Sequence, residues 1–385
     1  MAVSREFYTG IQSLREAAQR DRSDGVLDRL AEDVDTMVSA ESNELGSLSL
    51  RRLFESTVDD GRSHIEDMDP NFRGMSRYRE AADTVNTSLF AYTMGQIIYS
   101  QMLKSYQMPE LIGDRLVTIQ QTDFSGEKIP GVSEIGDQVE VVGEGMPYPR
   151  ALVGEYWIET PETIKRGLIV DVTKEAVFFD RTNLIISRAS NVGKQIAINR
   201  EKRILDAVLG ITTIYKRNGQ AAVATYGSDN TVASNGLIDW TDLDAAETKF
   251  SAITDPETGE PIVITANTLI VPPALRIAAA RIANATMTGR TNGENETRTG
   301  NNSLLQNFEI LSNQYVRQRS GSDTTWFYGN PKEAFVYMQN FPLTVKTNVE
   351  NAHASFERDI ISQSKASERG SVGVLERLYM MKNTA

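Results

Sequence analysis

One unbroken helical pattern runs from Asp180 to Leu209. Ile185, Ala189, Val192 and Ile196 recur at helical spacing, and Ile204, Leu205 and Val208 continue the stripe. Asp180 or Thr182 can cap its start, and Gly210 lies where a helix of this length should end. Its 28 residues from Thr182 would span about 42 Å. Few compact enzymes of 385 residues need so long an uninterrupted helix. The helix is also basic. Arg181, Arg188, Lys194, Arg200, Lys202 and Arg203 are opposed only by Glu201 between positions 181 and 203. A solvated face accounts for such a run, and so does a basic rail for an acidic partner.

A candidate acidic partner lies in the same chain. Residues 115–173 read as short strands broken by glycine and proline: Arg115–Thr122, Gln138–Val142, Glu155–Glu159 and Leu168–Val172. The stretch 122–161 holds eight acids, Asp123, Glu127, Glu134, Asp137, Glu140, Glu144, Glu155 and Glu159, against Lys128 and Arg150. It is short of large apolar residues, and an isolated two-stranded ribbon is marginal in water. A projecting ribbon here is expected to rest on another surface.

Residues 1–110 read as an acidic helical arm. Phe7, Ile11, Leu14 and Ala18 share one helical face. Leu27, Leu30, Val34 and Val38 mark a second helix, and Phe90, Met94, Ile98 and Met102 a third within Asp83–Met108. Residues 1–70 carry sixteen acids and eight arginines, hence 8 − 16 = −8 of the total −12. Short helices with single apolar stripes are marginal alone. The arm is therefore expected to pack on something other than itself, the alternative being a small helical domain with its own core. The opening MAVSREFYTG has no apolar h-region and is not expected to be a secretory signal.

Beyond the long helix, residues 211–236 look loop-like. A mixed unit follows, with a helix at Asp242–Ile253, a buried strand at Thr268–Val271 and a helix opened by Pro272-Pro273. Residues 284–302 read as a polar loop. Further strands are expected at Phe308–Leu311, Trp326–Tyr328, Leu343–Val345 and Val372–Val374. The order of elements gives an α+β chain.

Catalytic signatures are scarce. With Cys absent, disulfides, thiolate metal sites and cysteine nucleophiles have no residues to draw on. Only His64 and His353 exist, so a His-based zinc site or a Ser-His-Asp triad has little material. Asn191-Val192-Gly193-Lys194 looks like the tail of a phosphate loop, but Arg188 replaces its first glycine and the stretch is helical. Gly143-Glu144-Gly145 lacks the third glycine of a dinucleotide fingerprint. Asn284 and Asn295 begin sequons that carry no meaning without secretion. An acidic balance argues against gripping nucleic acid through phosphates. It leaves open enclosing nucleic acid without gripping it. No catalytic residue, metal ligand or cofactor site is expected.

The chain resembles the major capsid protein of tailed double-stranded DNA bacteriophages, the Hong Kong 97 fold. Four stretches carry the likeness, which covers about residues 110–385: the ribbon Thr122–Pro161, GLIVDVTKEAVFFDRTNLIISRASNVGKQIAINREKRILDAVLG at 167–210, NTLIVPPALRIAAARIANA at 267–285, and FERDIISQSKASERGSVGVLERLYMM at 356–381. Their order and spacing are more specific than any one of them. The resemblance implies an N-terminal arm at 1–110 and an extended loop at 122–161. It implies a peripheral domain at 111–121 and 162–236 with its spine helix at 182–209, an axial domain at 237–342, and returning peripheral strands at 343–385. It further implies a structural subunit, not an enzyme, whose pentamers and hexamers close an icosahedral shell around phage DNA. Portal and scaffolding proteins, and in some relatives decoration proteins, would be its partners, with the scaffold a separate chain. Its place would be the virion, after assembly in the bacterial cytoplasm.

Some relatives cross-link the loop through a Lys–Asn isopeptide bond. Lys128, with Asn348 and Asn351, lacks the supporting motif and is read as solvated. The candidate contacts between subunits are the acids Glu134, Asp137, Glu140 and Glu144 against Arg188, Lys194, Arg200 and Arg203 of a neighbour's long helix. A basic face turned to the lumen would instead touch the genome, and an acidic arm there would keep DNA off the wall. An encapsulin-type compartment is the nearest rival. A soluble hydrolase and a virion decoration protein belong to other classes.

Overall fold

The computed structural model describes residues 5–20, 34, 36, 48–58, 61–67, 84–108, 110–132, 142, 144, 146, 155–254, 259, 261–284, 287–292, 296–301, 308–348 and 359–385. In chain order the helices are α1 (Arg5–Arg20), α2 (Leu50–Thr57), α3 (Gly61–Asp67), α4 (Thr84–Tyr106), α5 (Gly113–Leu116), α6 (Lys174–Phe178), α7 (Thr182–Val208), α8 (Trp240–Ser251), α9 (Arg276–Ala283), α10 (Gln314–Ser320) and α11 (Pro331–Ala334). The strands are β1 (Thr118–Gln121), β2 (Lys128–Val132), β3 (Glu155–Glu159), β4 (Ile164–Thr173), β5 (Thr231–Val232), β6 (Thr268–Val271), β7 (Met287–Asn292), β8 (Glu296–Asn301), β9 (Glu309–Ser312), β10 (Trp326–Gly329), β11 (Phe335–Asn348), β12 (Ile360–Val374) and β13 (Met380–Asn383).

Two compact units result. The first holds residues 1–108, 165–197 and 342–368, the second 109–164, 198–341 and 369–385. Helix α7 and strands β11 and β12 run on from one into the other.

In the first unit the N-terminal helices find their core on their own chain. Ile11, Leu53, Phe54, Phe90 and Met94 are buried in one cluster with Val172, Val177 and Ile185. Phe54 meets Phe90 edge to face, with ring centroids 5.1 Å apart. Burying each such side chain contributes about 1.5–3 kcal/mol, which is more than a short helix lacks by itself. The expected arm is thus an integral layer of this unit. Polar bonds fix its angle of entry. Leu50 N–H donates to Thr182 Oγ1 at 2.8 Å, and Ser49 Oγ donates to Asp180 Oδ2 at 2.7 Å. The turn that starts α7 therefore also caps α2. Of the second expected helix, Val34 is buried, while Leu27, Leu30 and Val38 lie outside the described residues. Strand β4 lies beside β12, and β12 beside β11.

The second unit is built on a five-stranded sheet of order β5-β13-β10-β6-β9. Strand β6 is buried throughout, and its run Leu269-Ile270-Val271 is apolar because both of its faces are covered. Leu269 and Val271 pack with Trp326 and Tyr328 toward Leu243 and Phe250 of α8. Ile270 packs with Phe327 and Met380 toward Ile204 and Val208 of α7. Strand β13 pairs antiparallel with β10, so Met380–Asn383 belongs to this sheet and not with the strands returning from 343. Its register is locked by Asn230, whose Nδ2 donates to the carbonyls of Thr225 and Arg377 at 2.9 Å and of Met380 at 3.2 Å.

Two further expectations change, and a third is untested. Arg115–Thr122 divides into the short helix α5 and strand β1, which runs parallel to β11 with Thr118 opposite Val336. Residues 284–302 are not a loop: β7 and β8 pair antiparallel from Met287↔Asn301 to Asn292↔Glu296. Threonines at 288, 291, 297 and 299 favour extended backbone without any apolar signal. The strand expected at Gln138–Val142 lies outside the described residues except for Val142, which is in no strand.

Candidate functional site

The charged residues singled out by sequence lie along α7 and on the ribbon. Helix α7 spans 27 residues, about 40 Å. It ends at Gly210, whose φ of +69° suits glycine. Its first half exposes a continuous strip. Leu184 is 41% exposed, Arg188 and Lys194 are exposed, and Phe179 just upstream is 49% exposed beneath the Arg181 guanidinium at 5.2 Å.

The second half of α7 is different. Arg200 is buried at 6% exposure, 2.9 Å from Asp114 and 4.4 Å above the Tyr337 ring. Arg203 donates to the Gly370 carbonyl at 3.3 Å and to Asn199 Oδ1 at 3.1 Å. These two candidates are therefore spent inside their own chain. Helical spacing gives the reason. Arg200 is four residues from both Ile196 and Ile204, so it sits on the buried stripe, while Arg188 and Lys194 lie off it.

Next to Arg200 sits a residue that charge counting missed. Glu201 is 2% exposed. It accepts from Ile112 N–H at 3.1 Å, Gly113 N–H at 2.6 Å and Asn313 Nδ2 at 3.3 Å. A Cβ on Gly113 would stand 2.5 Å from Glu201 Oε2, so the close approach requires glycine. Burial pushes the Glu201 carboxyl above its usual range, against the opposing pull of the Ile112 and Gly113 amides. A buried, perturbed carboxylate invites a catalytic reading. Here both oxygens are occupied by backbone donors, and the group serves to fasten α5 and α10 to α7. Its sequence signal was available: one acid in a basic run, five residues after Ile196 and three before Ile204.

The ribbon is anchored at its base. Strands β2 and β3 pair antiparallel with Lys128 opposite Glu159 and Ile129 opposite Ile158. The segment 215–218 supports them: Glu159 N–H donates to the Lys216 carbonyl at 3.1 Å, and Asn218 N–H to the Trp157 carbonyl at 2.9 Å. Arg217 lies 3.8 Å over the Tyr156 ring. Lys128 is exposed yet partnered, with Nζ 3.8 Å from Glu159 and 5.1 Å over Trp157. Of the expected contact acids, Glu144 is exposed, while Glu134, Asp137 and Glu140 lie outside the described residues. Asn351 does so too.

A cavity of 680 Å³ opens beside this base, lined by Tyr215, Arg217, Asp229, Lys249, Glu376 and Arg377 among others. Arg377 is held there by a bidentate pair with Asp229 at 3.0 and 2.5 Å. Tyr215 is pushed up to about 12, first by burial and then by the Glu376 charge, so it stays a protonated donor. The lining offers no Ser, His or Cys nucleophile. Among the described residues no group of three or more His, Asp or Glu could hold a metal ion, and no helix is long and apolar enough to cross a membrane. Among the described residues this geometry presents surfaces: a basic and apolar strip, an acidic ribbon and the exposed strand β1.

A family model described as phage capsid protein matches residues 158–383 of the 385. No curated protein matches the chain by sequence. Among solved structures it is similar to that of Mycobacterium phage Bobi, with 13% identity over 71% of this chain and 90% of the other and a TM-score of 0.47. It is also similar to that of Gordonia phage Cozz, with 10% identity over 71% and 86% and a TM-score of 0.45. The capsid asymmetric unit of Cyanophage Pam1 gives 10% identity over 73% and 92% and a TM-score of 0.45.

Proposed function

Since this chain belongs to the phage capsid protein family, we propose that it is the major capsid protein of a Hong Kong 97-like shell, its copies closing into pentamers and hexamers around packaged double-stranded DNA. The family match over residues 158–383 carries this reading. It takes in the spine helix α7, the five-stranded sheet and the returning strands. As a structural capsid subunit the chain does its work through surfaces. A shell needs heterologous contacts that close into rings. Several weak contacts per copy then add through effective concentration once a ring begins.

In this reading the ribbon reaches over a neighbour. Its acids, Glu144 among them, meet Arg188 and Lys194 on the exposed strip of α7. Arg200 and Arg203 serve the subunit's own fold. Exposed ion pairs contribute only about 0–1 kcal/mol each and weaken with salt. They set register and assembly rate more than strength. Portal and scaffolding proteins would complete the particle, built in the bacterial cytoplasm and ending as the virion capsid.

Electron microscopy of the purified protein, with sedimentation, tests the proposal. Closed shells of regular size are expected, and DNA-filled ones when packaging components are present. Shells filled with enzyme would favour the encapsulin-type compartment. A small oligomer that never closes would refute both.

A further inference from the structure

A fastened loop at the base of the ribbon presents a large side chain to solvent. Residues 122–127 join β1 to β2. Asn340 Nδ2 donates to the carbonyls of Thr122 and Phe124 at 2.8 and 2.9 Å. Phe124 N–H donates to Thr122 Oγ1 at 3.1 Å, and the Thr122 hydroxyl donates to the Glu127 carboxylate. Glu127 N–H donates in turn to Thr160 Oγ1 at 2.8 Å. So held, Phe124 is 68% exposed, and Asp123 beside it is exposed as well. A single exposed apolar residue is commonplace on mobile chain. An aromatic ring on a loop whose backbone is already tied down is different, because docking it costs little further ordering.

The same unit carries a cavity of matching kind. The loop and the 680 Å³ cavity both lie within the second unit. That volume is in the range of pockets that take a whole small ligand, ample for one aromatic ring. Tyr215, Val223, Ile253 and Leu378 supply its apolar wall, and Val223 is 47% exposed there. Of its cations, Arg377 is neutralised by Asp229 and Arg217 rests on the Tyr156 ring. Lys249, in the last turn of α8, has no ion-pair partner among the described residues, and neither has Asp123.

An aromatic ring that follows a carboxylate fits a cavity with an apolar wall and an unpaired ammonium. We infer that Phe124 of one copy seats in this cavity of a second copy, with Asp123 paired to Lys249. Charge complementarity names the occupant: one subunit exposes both the acid and the base, each without a partner of its own. The roles divide. A buried aromatic anchor carries most of the energy of such a contact, whereas an ion pair at its rim sets rate and register. The loop and the cavity are different patches, so the contact is heterologous and passes from copy to copy round a ring. The inference rests on the shell reading and adds a contact separate from that between the ribbon acids and α7.

The chain has no cysteine, so engineered thiols report only on designed pairs. Particles assembled from an equal mixture of Asp123→Cys and Lys249→Cys chains, treated with a short bis-maleimide, should give covalent dimers on a denaturing gel. The mixture admits only links between copies. Asp123→Cys mixed with Asp244→Cys, exposed elsewhere on α8, should give little. Phe124→Ala should leave the thermal midpoint of the unassembled chain unchanged, since the ring is exposed, and raise the concentration needed for assembly by about tenfold. A lower midpoint would make the ring part of the subunit's own fold and reject the contact. Intact particles without 123–249 dimers, or Phe124→Ala chains that assemble like the unmodified one, overturn the inference and leave the shell reading standing. Absence of particles from the unmodified chain sinks that reading. If the thiol chains do not assemble, charge exchange decides. Asp123→Lys should raise the concentration needed for assembly by about threefold, and adding Lys249→Asp should restore it. No loss with the first substitution, or no recovery with the second, rejects the contact.

Discussion

Replacing Glu201 tests whether the buried carboxylate is a structural fastener. Truncation to Ala strips the partner from two buried backbone amides, Ile112 and Gly113, and from the Asn313 side chain. Leaving a buried donor unsatisfied costs about 1–3 kcal/mol each. Lifting the carboxylate's own desolvation offsets part of that, so Glu201→Ala should lose about 2–4 kcal/mol. Glu201→Gln keeps the shape. Its one carbonyl can accept from one amide, while its NH₂ meets the other donor head-on, so about half the loss is expected. Urea unfolding of the full, unassembled chain, followed by tryptophan fluorescence, measures both. The pH dependence supplies a second readout. Burial raises the folded carboxyl above its ordinary 4.5, so the native state holds this proton more tightly than the unfolded state does. Stability due to this group is present below the ordinary value and falls as pH rises through the folded one. Glu201→Gln should remove that component. A Gln variant as unstable as the Ala variant would refute the hydrogen-bond account, and so would an Ala variant within 0.5 kcal/mol, a margin of about that expected for an ordinary surface change.

Other outcomes follow from equally specific contacts. Gly193→Ala places a Cβ 2.3 Å from the Met102 carbonyl oxygen, so α7 and α4 must part and the first unit should lose about 1–3 kcal/mol, visible as a lower thermal midpoint. Asn230→Ala removes three carbonyl contacts and the acceptor of Gly227 N–H. A loss of about 2–4 kcal/mol is expected, with β13 amides exchanging faster by hydrogen exchange. Tyr215 is raised to about 12, and Tyr226 and Tyr328 are raised as well, by burial first in each case. Their contribution to stability is complete below pH 10, the ordinary tyrosine value, and is lost as pH climbs through the raised values. Ultraviolet titration should therefore show these rings ionising together with alkaline unfolding, and a smooth titration in the folded state would count against it.

Much of the fold was legible because periodicity is a local signal. The stripe from Ile185 to Val208 gave α7 to within a residue of its end, and Phe90, Met94, Ile98 and Met102 gave α4. The continuous run Thr268–Val271 gave a strand buried on both faces. Long-range pairing was hidden. Nothing in Met380–Asn383 says that its neighbour is Trp326–Gly329, because register across some fifty residues is decided by packing and by Asn230. The ribbon β7–β8 looks like a loop in sequence because threonine alternation with Met287 as its one apolar residue mimics solvent-loving coil. The candidate site was legible in charge but not in direction. Counting cations along α7 grouped Arg200 with Arg188, while the helical angle that separates them was already present in the distance to Ile196 and Ile204.

The packing of the N-terminal helices changes where this subunit is incomplete. An arm with no core of its own would leave its apolar stripes for a neighbour to cover. Instead Phe7, Ile11, Leu53 and Phe90 are buried within the first unit, against Val172, Val177 and Ile185. Among the described residues the exposed apolar side chains are scattered, among them Ile119 on β1, Leu168 and Ile169 on β4, Phe179 and Leu184 at the start of α7, and Ile238, Val263 and Ile277 elsewhere. None of these is a large apolar face. Each is a narrow exposed stretch of a few residues that, in the shell reading, would make a small contact of its own. Subunits joined by such contacts can form, test and release wrong neighbours before a shell closes, because each single contact is weak and only the full set is strong. Enlarging the apolar edge should therefore harm assembly. Gln121→Ile, beside Ile119 on the exposed strand, should speed early association and yet raise the share of malformed particles in electron micrographs. An unchanged proportion of closed shells would show that edge strength is not what limits correct assembly.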